Sequence, residues 1–111
     1  MSEPSKFSLP TGEITVVAFV RAKGGKEAKI QEVTTKLQEE VRQKNPGAVI
    51  FQAYKGSDEP GLILFYEIYK TREAFQFHKD SAHLQRWFDA IEPLADGRVH
   101  VMVVDPLSPI S

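Results

Sequence analysis

The chain has 111 residues, 41% of them hydrophobic and 26% charged, with 14 basic and 15 acidic side chains giving a formal net charge of −1. That length fits one domain, and the balanced, scattered charge excludes a basic nucleic-acid surface. The apolar runs are strand-sized, well short of the roughly 20 residues a membrane helix needs, and without cysteine there are no disulfides, thiol nucleophiles or thiolate metal sites, so a cytoplasmic setting is expected.

In chain order, residues 1–12 carry Pro4, Pro10 and Gly12, lack the apolar core of a secretory signal, and read as a flexible arm. Residues 13–21 (EITVVAFVR) are rich in β-branched side chains and predict a first strand. After Gly24-Gly25 a helix is expected over 26–44, because Ile30, Val33, Leu37 and Val41 recur at helical spacing on one stripe. Gly24-Gly25-Lys26 lacks the spacing of a phosphate-binding loop and reads as a turn. Asn45-Pro46-Gly47 ends the helix, with Gly47 expected to supply a positive φ. Residues 48–55 (AVIFQAYK) predict a second strand, GSDEPG a hairpin loop, and 62–70 a third strand. Thr71 is a plausible N-cap for a helix to about residue 78, with Glu73 near its positive end. Ser81 could cap a second short helix that ends near Pro93. Residues 98–104 (RVHVMVV) predict the last strand, and 105–111 form a Pro-rich tail.

This order, βαββαβ, is that of the ferredoxin-like split βαβ unit: an α+β fold with four antiparallel strands and helices on one face. A sheet wetted on its other face would alternate apolar and polar residues. Instead, Ile14, Val16 and Val20 oppose Val17 and Phe19 on the first strand. On the third, Leu62, Leu64 and Ile68 oppose Ile63 and Phe65, and on the last, Val99, Val101 and Val103 oppose Met102 and Val104. Apolar surface of that extent marks an interface, so a homodimer packed sheet against sheet is expected. The alternative is that the arm and the tail cover the open face.

The chemistry concentrates in residues 62–88 (LILFYEIYKTREAFQFHKDSAHLQRWF), where Glu67, His78 and His83 fall within 17 residues among seven aromatic side chains. Burial among aromatic rings is what shifts the pKa values of acid–base groups. His78, with Ala74 and Phe75 at i−4 and i−3, lies on an inward helical face, where an imidazole is either a satisfied core group or a base. His83 reads mainly as a packing or capping residue. Glu67 sits in an apolar strand on the side of Phe65 and Tyr69 and therefore needs a partner, with Arg21 and Arg98 as candidates, a wet cavity, or a basic residue across the dimer. The aromatic residues, including Phe51, Tyr66, Tyr69, Phe75 and Trp87, are core or the walls of a pocket for a flat ligand. Three histidines without ligand spacing give no metal signal.

Tyr66-Glu67, Ala74-Phe75, His78, Ser81 and His83, with Arg21-Ala22-Lys23 and Pro46-Gly47, resemble in order and spacing the antibiotic-biosynthesis monooxygenase family, over residues 13–104. The resemblance implies a dimeric α+β barrel that oxidises a quinol or polyphenolic aromatic molecule with O₂ and uses no cofactor. It implies His78 and Glu67 as catalytic groups and Tyr66, Tyr69, Phe75, His83, Trp87 and Phe51 as substrate-binding ones, with no metal, nucleic-acid or membrane partner. The related haem-degrading branch places a Trp where His78 stands and a His where Phe88 stands, which argues against haem ligation of that kind. Two other activities fit the same fold. One is a non-enzymatic dimeric binding domain for small aromatic ligands, and the other an isomerase or lyase working with Arg21, Arg98 and His100.

Overall fold

Side-chain alternation on the strands decides the architecture. The structure, a computed structural model, describes residues 13–108. The expected arm (1–12) and the last three residues of the expected tail lie outside the described residues. The elements are β1 (Ile14–Arg21), α1 (Glu27–Lys44), β2 (Ala48–Lys55), β3 (Leu62–Tyr69), α2 (Arg72–Lys79), α3 (Ala82–Ile91) and β4 (His100–Val104). They follow the predicted order, the second crossover being divided into two short helices. The last strand starts later than its β-branched sequence suggests. Gly97 takes φ +92° and the Asp96 N–H donates to the Arg21 carbonyl at 2.7 Å, so this segment turns along the end of β1 before it can extend.

The four strands form one antiparallel sheet in the order β2-β3-β1-β4. On one face Ala18, Val20, Ile63 and Phe65 are buried against Ile30, Leu37 and Val41 of α1 and Trp87 and Ile91 of α3, and Val16 is buried on the same face. Complete burial of one such aliphatic side chain is worth about 1.5–3 kcal/mol, so this layer sets the position of both helices. One polar pair lies inside it: the Trp87 indole Nε1–H donates to Thr34 Oγ1 at 3.0 Å, which satisfies both groups.

The other face is open. Register places Tyr54, Leu64, Phe19 and His100 in one row across it, Gln52, Tyr66, Val17 and Met102 in the next, and Ile50, Ile68, Thr15 and Val104 in a third. None of these residues is Lys, Arg, Asp or Glu, and Phe19 and His100 stack with ring centroids 4.7 Å apart.

The turn after α1 corrects one expectation. Among the described residues only Gly25 and Gly97 have positive φ, so Gly47 does not serve as a left-handed turn residue. It is needed for space. A Cβ at Gly47 would lie 2.5 Å from Cβ of Ala74, because the turn runs directly beneath α2 and the Lys70 N–H donates to the Gly47 carbonyl at 2.8 Å. Gly47→Ala should therefore lower stability in urea unfolding by about 1–3 kcal/mol, as overpacking does. An unchanged midpoint would mean that α2 shifts without cost.

Candidate functional site

The polar centre forms where α1 ends and α2 meets α3. Both short helices are capped as their sequences suggest: Thr71 Oγ1 accepts from the Ala74 N–H at 3.0 Å, and Ser81 Oγ accepts from the Leu84 N–H at 3.3 Å. The Ser81 hydroxyl also donates to the His78 carbonyl at 2.7 Å, tying the start of α3 to the last turn of α2. With its caps in place, α2 turns a single residue, His78, fully inward, and α3 turns in His83, Trp87 and Ile91.

His78 and His83 meet at Asn45, the C-cap of α1. His83 Nε2 lies 2.7 Å from Asn45 Oδ1 and His78 Nδ1 lies 3.4 Å from the same oxygen. All three side chains are buried, and Asn45 Nδ2 has no hydrogen-bond partner among the described residues. One carbonyl oxygen facing two imidazoles assigns a proton to each facing nitrogen, with His83 the closer donor. Burial, with the neighbouring His83, pushes His78 down to about 4; burial also lowers His83, against the opposing pull of Glu40. Both rings are therefore neutral at pH 7.

Beside them lies Glu67, 5% exposed. Its carboxylate Oε1 accepts from the Tyr69 hydroxyl at 2.5 Å. Burial raises Glu67 to about 7, although the Tyr69 hydrogen bond acts in the opposite direction. Burial, and then the adjacent Glu67 charge, raise the Tyr69 phenol well above its ordinary value. Rings close the site: His78 sits 5.2 Å from Phe51 and 5.3 Å from Tyr69, and Phe75 lies 5.1 Å from Tyr69, centroid to centroid.

The structure thus brings Glu67, Tyr69, His78, His83, Phe51 and Phe75 together on the helix-covered side. Trp87 is on that side too, but edge-on against Phe65 in the apolar core. Tyr66 is separated from them by the sheet, since it pairs with Val17 on the open face. The expected arginine partners of Glu67 do not reach it. Arg21 Nε donates to Glu59 Oε2 at 2.6 Å in the hairpin loop, and Arg98 lines a cleft between α3 and β4. Alternation explains this, because Arg21 points to the face opposite Glu67. Asn45 was missed as a site residue. Its sequence context marks only a helix end, and nothing local signals histidines 33 and 38 residues away. Among the described residues, no cluster of three or more His, Cys, Asp or Glu could hold a metal ion, and no helix is long and apolar enough to cross a membrane.

The two shifted groups affect stability with opposite sign. The folded-state value of His78, about 4, is below its ordinary 6.5, so stability is lost as pH falls from 6.5 towards 4. Glu67, at about 7, is above its ordinary 4.5, so its burial costs nothing below 4.5 and increasingly more as pH rises to 7. At about 1.4 kcal/mol per unit, each effect is about 3 kcal/mol at most. Gln at position 67 keeps an acceptor for Tyr69, so Glu67→Gln should be the more stable protein above pH 7, with the gain vanishing by pH 4.5. Denaturant midpoints measured across that range check this, and parallel curves would mean that Glu67 ionises without cost.

Known proteins share this fold. A Nitrosomonas europaea protein bearing the antibiotic biosynthesis monooxygenase name is 24% identical and superimposes with a TM-score of 0.79, over 90% of this chain and 95% of its own. A Caulobacter crescentus protein of the same name is 23% identical, with a TM-score of 0.80 over 89% and 93% of the two chains. A Mycobacterium tuberculosis protein is 21% identical, with a TM-score of 0.78 over 89% and 99%. At these identities the likeness establishes a shared fold. No curated protein matches the chain. The profile of one family, described as antibiotic biosynthesis monooxygenase, matches residues 13–90, most of the sheet and all three helices, and the chain belongs to that family.

Proposed function

We propose that this protein is a homodimeric, cofactor-independent monooxygenase acting on a quinol or polyphenolic aromatic molecule. The observation that carries the reading is Glu67: a buried carboxyl group at about 7, hydrogen-bonded to Tyr69 at the edge of a cluster of rings, in a chain of this family. A general base works best when its pKa lies near the operating pH. Of the two candidate bases, Glu67 meets that condition and His78, at about 4, does not. His78 then serves as a neutral wall that Asn45 orients and that packs on Phe51 and Tyr69.

The chemistry proceeds in balanced steps. Glu67 takes the proton of a ring hydroxyl, and the resulting phenolate transfers one electron to O₂, giving a ring radical and superoxide. These combine at a ring carbon, and Glu67 returns its proton to the peroxide so formed. Loss of the hydrogen on that carbon, with cleavage of the O–O bond, leaves a new carbonyl on the ring and releases water. The ring supplies all the electrons, so the protein contributes proton transfer, orientation and exclusion of water. The Tyr69 hydroxyl, beside the carboxyl, is placed to pass that proton or to hold the developing oxyanion.

The open face supports the dimer. A surface of twelve residues with no formal charge, including Val17, Phe19, Leu64, Ile68 and Met102, suits self-association through an isologous contact. Leu64→Lys, in the middle of that face, should convert the dimer to monomer in light scattering. A wild type that is itself monomeric would reject the sheet-to-sheet assembly.

Activity is tested by oxygen uptake of metal-free protein with naphthoquinol, with superoxide dismutase suppressing autoxidation. The enzymatic product is hydroxynaphthoquinone, one oxygen atom richer than the naphthoquinone of autoxidation. Glu67→Gln should lower the rate about 100-fold or more, the usual contribution of a positioned base, whereas His78→Gln should cost less. Equal loss in both would return His78 to the chemistry. No uptake above the protein-free control would favour a binding domain.

A further inference from the structure

The sheet leaves a strip of its helix-covered side bare. Val101 and Val103 pair with Ala18 and Val16, so they share the face that carries the helices. Yet they are 54% and 58% exposed, whereas Ala18 and Val16 are buried. The helices pack mainly on β2, on β3 and on one another, and none roofs β4. At one end of the strip lies a cleft of about 320 Å³ whose apolar walls are Phe88, Ile91, Ala95 and Val99. Arg98 and Glu92 also line it, and neither forms an ion pair among the described residues.

We propose that this cleft between α3 and β4 binds a flat organic anion, an arene carboxylate. Its rings would lie on Phe88, Ile91 and Val99, and its carboxylate would pair with the Arg98 guanidinium. The volume falls within the range of small-molecule sites, roughly 300–1,000 Å³. A guanidinium that forms no ion pair among the described residues presents a planar fork that matches a carboxylate. Glu92 opposes the anion from the same cleft, so affinity depends on Arg98 outweighing it. From Val99, half-buried against the core, to the exposed Val103 this wall runs about 13 Å at strand spacing, long enough for a fused-ring body. It ends level with Glu67, since Val103, Val16 and Glu67 occupy one row. Because the cleft is on the helix side, pairing of the open faces would leave it accessible. The site rests on the proposed function in one respect: the anion bound there would be the substrate, a phenol that also carries a carboxylate.

Calorimetric titration of the full chain with naphthoate, and with naphthol as its uncharged counterpart, tests this. Naphthoate should bind the more tightly. Arg98→Gln should weaken naphthoate about tenfold, the scale of one charge-assisted pair, and leave naphthol unchanged. Glu92→Gln should tighten naphthoate. Both residues are exposed, so neither change threatens the fold. Equal affinity for the two probes, or naphthoate binding indifferent to Arg98→Gln, would overturn the proposal, as would no binding of naphthoate. The titration needs no turnover. Protein that binds naphthoate through Arg98 but consumes no oxygen would keep the anion site and lose the oxygenase, and the reverse result would do the opposite.

Discussion

One carboxamide holds the relation among the three helices. Asn45 ends α1, and its side-chain oxygen lies between His83 of α3 and His78 of α2. Buried polar groups are costly unless paired, so this oxygen and the two imidazoles constrain one another, and the Ser81 hydroxyl closes the same junction from the backbone side. The unpartnered amide nitrogen of Asn45 is the cost of that arrangement. Once α2 is fixed in this way, His78 and Phe75 lie against the Tyr69 ring, and Tyr69 donates to Glu67. Burial is what raises the carboxyl group towards neutral pH. The helix junction thus meets the strand carboxyl through Tyr69.

The sheet divides the molecule into two surfaces with different physics. On the helix side, each buried apolar residue of β1 and β3 meets a helix, and the titratable groups sit at one end of that layer. On the open side, three rows of side chains from all four strands form an uncharged surface, with Arg21 beyond its end. β1 and β3 are apolar on both sides, unlike an antiparallel sheet with one solvated face. β4 differs from the other strands. It is an edge strand, short and unroofed, so its valines remain accessible on a side where every other strand is covered.

Histidine and glutamate respond to the same burial in opposite ways. A low-dielectric setting disfavours whichever form is charged, so the imidazoles fall and the carboxyl rises. The site consequently holds neutral rings around one group that exchanges a proton near neutral pH. The family resemblance put His78 first among the candidate bases, with Glu67 second. Burial moves their proton affinities in opposite directions, and burial is a tertiary quantity.

Much of the fold was legible in the amino-acid order because its causes are local. Alternation of β-branched residues marked the strands, the stripe from Ile30 to Val41 marked α1, and Thr71 and Ser81 announced the two short helices that they do cap. Even the faces of β3 could be read, since period-two alternation puts Glu67 with Phe65 and Tyr69 and puts Tyr66 opposite. Other features depended on contacts between distant segments. Asn45 acquires its role only when α1, α2 and α3 converge, and Gly47 is required because Ala74 comes to lie above it rather than for any positive φ. Arg21 and Arg98 could be named as partners for Glu67 from the sequence, but the sheet turns one away and the bend at Gly97 carries the other to a different cleft. Local propensity and periodicity determined which elements form and which way their side chains face. Only tertiary packing, by excluding water from some of those side chains and not from others, decided which of them carry charge, meet or remain open to a ligand.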